Sequence, residues 1–182
     1  MEDMAQPHIV LEPVQLQDIP LFCTNLQESF NKAFHEELGK SEENVISFTE
    51  IEESINADGA ETLHILHRGE RIGGAVVRIN ETTQHNTLDL FFIRPVEHGR
   101  GLGSAAWQAL EARYPGTRVW SLVTPYFEKR NIHFYLNKCG FHIVEYYNER
   151  NPDPNGHSHE HPKPYSATEG LDEMFRFEKV MA

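Results

Sequence analysis

Apolar residues recur along the chain with two different periods, and the switches between them lay out the elements. Residues 9–14 alternate as a short strand. Ile19, Phe22, Leu26, Phe30 and Phe34 then return at helical spacing, with Asp18 placed to cap the helix and Pro20 suited to its first turn. Residues 40–45 are a polar connection. Ser47 and Glu50 stand at capping-box spacing before Ile51 and Ile55, which predicts a short second helix that ends near Gly59. Alternation resumes over residues 62–68 and 72–80, with Gly69-Glu70 as the hairpin turn between them, and again over residues 87–93. These three strands read as an antiparallel meander.

The pattern changes after Arg94-Pro95. A glycine-rich turn, His98-Gly99-Arg100-Gly101-Leu102-Gly103, precedes a helix over 104–114, with Ala106, Trp107, Leu110 and Tyr114 on one stripe. Residues 118–123 read as a strand, 128–139 as a helix stopped by Gly140, and 141–147 as another strand. The order strand 87–93, helix 104–114, strand 118–123 is a βαβ crossover and implies a parallel pair. Residues 148–170 hold four of the ten prolines and three of the eleven histidines and read as a long loop, before a last strand at 173–180. The expectation is one α/β (α+β) domain over residues 1–182: a mixed, mostly antiparallel central sheet with one parallel pair and helices on both faces.

Composition narrows the function classes. With 39% apolar and 24% charged residues, the chain is ordinary globular protein. No apolar run nears the roughly 18 residues of a membrane span, and the acidic, polar start does not read as a secretion signal. Cys23 and Cys139 are too few for a disulfide framework, so the expected setting is cytoplasmic. A net charge of −12 argues against nucleic acid and suits a cationic partner such as an amine; it equally suits plain solubility.

Three glycines at alternate positions before a helix suit backbone N–H groups that approach a phosphate, with Arg100 as a cation. An ordinary tight turn needs only one. The P-loop is excluded because Ser104-Ala105 follows Gly103 where Lys-Ser/Thr is required. The dinucleotide fingerprint fails too, since its third glycine arrives one residue early and no acidic residue stands about 20 positions on.

Phe91-Phe92-Ile93-Arg94-Pro95 followed by this turn resembles the acetyl-CoA motif of the GNAT superfamily of N-acetyltransferases, Gln/Arg-x-x-Gly-x-Gly/Ala, with His98 in the first position. Phe134-Tyr135-Leu136-Asn137-Lys138-Cys139-Gly140-Phe141 is similar to the family's Phe-Tyr-x-x-x-Gly-Phe. The resemblance implies a GNAT-like fold in which the parallel pair splays and acetyl-CoA binds as co-substrate across it. Its diphosphate would lie on Gly99, Arg100, Gly101, Leu102, Gly103 and Ser104. Phe91, Phe92 and Ile93 would contact its pantetheine arm through backbone atoms, one of which would serve the oxyanion. Glu128 occupies the place, seven residues before the tyrosine, where the family often has a coenzyme-contacting asparagine. That role passes to Asn131, one turn further on, with Lys138 as an additional coenzyme contact.

The chemistry so implied is direct acetylation of a primary amine on a small molecule or peptide. The alternative is a sensor or regulatory module that binds acyl-CoA without catalysis. Tyr135 is the candidate general acid, against a plain core role on an apolar stripe. Asp89, on the strand face shared by Thr87, Phe91 and Ile93, is the first candidate base, and Glu128 the second, against the bland use of an acid at a helix start. A water chain is the third option. Tyr126 and Phe127 either line the amine pocket or pack. The expected partners exclude nucleic acid and membrane and leave a homodimer open. His157, His159 and His161 alternate and can converge on a metal, though a solvated loop explains them equally and no metal is expected. His64 and His67 face opposite sides of their strand, and His133 reads as a surface residue.

Overall fold

In a computed structural model of the chain, the residues described are 7–39, 44–156 and 173–182. The strands are β1 (Ile9–Pro13), β2 (Ala60–His67), β3 (Glu70–Arg78), β4 (His85–Ile93), β5 (Val119–Pro125), β6 (His142–Tyr147) and β7 (Met174–Val180). The helices are α1 (Ile19–Leu38), α2 (Phe48–Asn56), α3 (Leu102–Arg113) and α4 (Lys129–Asn137). The strands form one sheet in the order β1-β2-β3-β4-β5-β7-β6, antiparallel except for β4 against β5. Among the described residues no helix is long and apolar enough to cross a membrane.

Two apolar clusters cover the two faces. On one, Leu102, Ala106, Trp107 and Leu110 of α3 and Tyr135 of α4 pack on Ile65, Val77, Leu88 and Leu122. On the other, Phe22, Cys23 and Leu26 of α1 and Ile51 of α2 pack on Val76, Leu90 and Phe92. The Ser47–Glu50 capping box forms as its spacing predicts, each side chain bonding the other's backbone N–H. Asp18 does not cap α1. A short 3₁₀ turn precedes the helix, and the Asp18 carboxylate is drawn instead to Arg71 at 2.8 Å, since a charged partner outcompetes a backbone amide. The β2–β3 turn is Arg68-Gly69, one residue earlier than expected.

One departure from strict alternation matters for everything that follows. Val76 faces Leu90 while Val77 faces Leu88, so β4 carries an extra residue, Asp89, in a β-bulge. Leu88 therefore joins the core under α3 and Leu90 the core under α1. The expectation that Thr87, Asp89, Phe91 and Ile93 share one face fails at the bulge, where the period of two is broken.

The parallel pair is closed at one end only. His85, Asn86 and Thr87 pair with Val119, Trp120 and Ser121, and the register stops there. Polar bonds clamp this closed end. Asn86 Nδ2 donates to Thr117 Oγ1 at 2.7 Å, Asn80 N donates to Asn86 Oδ1 at 2.9 Å, and Arg118 N donates to Gln84 O at 2.8 Å. Beyond Ser121, β5 pairs onward with β7 through Pro125 and leaves β4.

The far end of β4 is held to β3 by close approach. A Cβ on Gly73 would stand 2.1 Å from the Phe92 carbonyl oxygen, so the two backbones meet where only glycine fits. Gly73→Ala should therefore cost about 2–3 kcal/mol of stability. Urea unfolding of both proteins measures this, and an unchanged midpoint would disprove the close-approach account.

Candidate active site

The glycine-rich turn links β4 to α3. Gly99 and Gly101 have φ of +80° and +72°, Gly101 being the N-cap of α3, and a Cβ on either would meet nothing within 4 Å. The first helical bond here is Ala105 N to Gly101 O at 3.2 Å. The amides of residues 99–104 have no partner among the described residues, so the turn presents a run of free donors at the positive end of a helix. Gly103 has a different cause: its Cβ would lie 3.2 Å from the Phe134 ring, so the glycine lets α4 sit against the start of α3.

His98 secures the turn. Its Nε2 lies 2.7 Å from the Ile93 carbonyl, and a carbonyl only accepts, so Nε2 carries the proton. Burial lowers the imidazole's pKa against the opposing Ile93 bond, with Arg130 and Lys32 acting in the same direction as burial. The ring is thus a neutral staple between the end of β4 and the turn, and its charge is not what a phosphate would meet. Arg100 is exposed and bonded to Glu97 at 2.7 Å. Lys138 is exposed at the C-terminal end of α4, the opposite end of that helix from Arg130.

Where β4 and β5 separate, a cleft of about 360 Å³ opens. Its walls come from β4 (Thr87, Asp89, Phe91), β5 (Ser121, Thr124), α2 (Glu50, Glu53, Ser54), α4 (Asn131, Tyr135) and β7 (Met174, Arg176), with Glu128 at the entrance to α4. Phe91 stacks on Phe134 at 5.9 Å along the same opening. The Phe92 ring points to the other face, 5.5 Å from Phe22, so Phe92 can meet a ligand in the cleft only through its backbone.

Three candidate catalytic residues line this one cleft and differ in state. Asp89 is engaged: Arg78 Nη2 donates to Oδ1 at 3.0 Å, and Arg78 Nε lies 2.7 Å from Oδ2 without hydrogen-bond alignment. Glu128 is 7% exposed and its side chain does not cap α4. Burial pushes its pKa up to about 7, against the lowering effect of the Asn131 amide bonded to Oε2 and with a further push from Glu37 of α1. Tyr135 is also 7% exposed, and its hydroxyl has no partner among the described residues. Burial raises its pKa, followed by the influence of Cys139 and Glu128, so the phenol stays protonated.

Other residues fall outside the cleft. Phe127 is buried edge-on to Phe34 at 5.4 Å, and Tyr126 packs on Phe175 at 5.5 Å; neither lines the cavity. His64 is buried beside Asp18 while His67 bonds the His8 carbonyl, so the two make no joint site. His133 is exposed. His157, His159 and His161 lie outside the described residues, among which no cluster of metal-binding side chains occurs. Arg78, Glu53 and Arg176 escaped the sequence reading because no local pattern marks them; they reach the cleft from elements far apart in the chain.

A splayed parallel pair beside a helix N-terminus with free amides is the arrangement of an acyl-CoA-dependent transferase. The profile of the acetyltransferase (GNAT) family matches residues 23–141, and the chain belongs to that family, whose members transfer acyl groups from acetyl-CoA. It is 49% identical over 184 residues to the uncharacterised protein YrkN of Bacillus subtilis (strain 168), spanning 100% of this chain and 98% of that one. The crystal structure of an acetyltransferase from Thermus thermophilus superposes with a TM-score of 0.66 at 17% identity, covering 98% of this chain and 100% of that one. A GNAT family acetyltransferase from Elizabethkingia anophelis with acetyl-CoA bound gives 0.66 at 15% identity, covering 95% and 98%.

The free amides and the empty space above Gly99 and Gly101 fit the diphosphate of such a donor. Gly101→Ala should lower coenzyme A affinity about tenfold or more while costing only about 1–2 kcal/mol of stability, because a side chain disfavours the left-handed backbone that aims the amides. Calorimetric titration with coenzyme A checks this, and unchanged affinity would remove the turn from the site.

Proposed function

We propose that the protein acetylates a primary amine of a small molecule or peptide by direct attack on acetyl-CoA, with Glu128 as general base and Tyr135 as donor to the leaving sulfur. The observation that carries this is the convergence on one cleft of a buried carboxylate, pushed up to about 7 by burial, and a buried phenol with no hydrogen-bond partner among the described residues, where β4 parts from β5. Acetyl-CoA supplies the thioester carbonyl that the amine attacks.

The residues divide the work by their state. A free amine titrates near about 10 and arrives as an ammonium, so a base must take a proton. Glu128 is half ionised near neutral pH, the range in which a general base is most effective. Asp89 is the weaker candidate because its carboxylate is already engaged by the Arg78 guanidinium. Attack by the freed amine forms the C–N bond and breaks the C–S bond; Tyr135, which keeps its proton, donates a hydrogen bond to the departing thiolate, and the second proton lost by the nitrogen passes to that sulfur. Backbone donors on β4 beyond its ladder with β5 suit the tetrahedral oxyanion. Neither cysteine fits a covalent route: both are buried, neither lines the cleft, and burial pushes the Cys139 thiol up to about 12. The net charge of −12 favours a cationic acceptor over an anionic one. A module that only binds acyl-CoA has no use for a buried carboxylate, which lowers its stability at neutral pH.

Tyr135→Phe should reduce kcat about 10- to 100-fold, the worth of one hydrogen bond to a charged group, with coenzyme A affinity nearly unchanged. Thiol release from acetyl-CoA across a panel of amines provides the assay; equal turnover would take Tyr135 out of the mechanism.

Glu128→Gln should lower kcat/KM by about 10²- to 10³-fold and abolish an acid limb near pH 7. The stability change has the opposite sign. The folded pKa lies above the ordinary 4.5, so the group's contribution is fully present below about 4.5 and is lost as pH rises through 7. The variant, free of that loss, should be more stable than the parent at pH 8 by on the order of 2 kcal/mol. A variant that is inactive but less stable at pH 8 would contradict the burial argument.

A further inference from the structure

We infer that Asn131 is a positioning residue: its side-chain amide holds the Glu128 carboxylate by a hydrogen bond and keeps it turned toward the cleft. This rests on the reading of Glu128 as the base. It assigns Asn131 a role distinct from contact with the donor.

The geometry is specific. Asn131 follows Glu128 by three positions, close to one helical turn, so the two side chains lie on the same face at the start of α4. Asn131 Nδ2 donates to Glu128 Oε2, and both residues line the cleft. Glu128 has no ion pair with a lysine or arginine among the described residues. The titratable groups that act on it are Glu37 from α1, whose charge opposes ionisation, and Tyr135 from its own helix, which is neutral. Burial opposes ionisation as well. The Asn131 amide is the group that favours the charged form, and a donor to a buried carboxylate does so directly. The same bond fixes the carboxylate's rotamer. A base of this kind must stay within reach of the amine as its proton leaves.

The test is the pH dependence of kcat/KM in Asn131→Leu, which keeps the volume and removes the donor. The acid limb should move up by about one pH unit, so that the loss of activity at pH 6.5 exceeds the loss at pH 9 by about tenfold, with KM for acetyl-CoA unchanged. Asn131→Asp, which sets a second carboxylate against the first, should move the limb further in the same direction and serves if the leucine variant does not fold. Carbon-13 NMR titration of the Glu128 side-chain carboxyl in parent and variant gives the same shift without reference to turnover. An unmoved limb and an unmoved carboxyl titration overturn the inference, as does a raised KM for acetyl-CoA with the limb in place, which would make Asn131 a donor contact. The underlying reading fails separately, if the parent's limb survives in Glu128→Gln.

Discussion

The site depends on a strand that parts from its parallel neighbour after three residues. Backbone N–H and C=O groups in a folded protein almost always find partners, and β4 has every opportunity to give them to β5. It does so only from His85 to Thr87. From there β5 continues into its ladder with β7, and the bulge at Asp89 bends and twists β4 away. An open edge inside a sheet costs free energy unless something occupies it. A pantetheine arm, with its own amides, supplies such partners. The Asn86–Thr117 and Gln84–Arg118 bonds at the closed end then read as the counterpart of the opening, since they fix the angle at which the strands part.

A similar tension governs the carboxylate. Burying Glu128 raises its pKa toward neutrality, which suits the base proposed for it, while the ionised form weakens the fold in that same pH range. Asp89 shows the alternative arrangement on β4, where its carboxylate is paired with Arg78. Two acids on one cleft thus differ in their neighbour, a guanidinium for Asp89 and an amide for Glu128. Sequence alone ranked them in the other order, because alternation along β4 placed Asp89 on the working face and a helix-start glutamate has an ordinary explanation in the helix dipole.

The difference between that ranking and the one proposed from the structure shows what was legible. Local signals transferred well: the Ser47–Glu50 capping box, the β2–β3 hairpin, the crossover through α3 and the glycine turn all depend on residues within a few positions of one another. Bulges do not announce themselves in a period-two pattern; Leu88 and Leu90 look equivalent until the register with Val76 and Val77 is known. Asp18 has the right place for a cap and loses that role to Arg71, more than fifty residues away. The acceptor side of the cleft was least legible of all, because Glu53, Arg78 and Arg176 meet only after β7 inserts between β5 and β6.

The division between legible and illegible parts follows the chemistry of the two substrates. On the proposed reading the donor half is built from main chain: turn amides, the edge of β4 beyond Thr87, and glycines that leave open space at residues 99 and 101 or admit a helix at residue 103. Main-chain recognition constrains few residue types, mostly glycines at fixed spacing, so it leaves a short motif and permits the fold to persist at 15–17% identity. The acceptor half, on the same reading, is built from side chains on α2, β3 and β7. Glu128 and Tyr135 stand at the junction, on the helix that packs against the donor turn through Phe134 and Gly103. A change in acceptor can therefore proceed on α2 and β7 while the turn, the splay and the first turn of α4 stay fixed relative to one another.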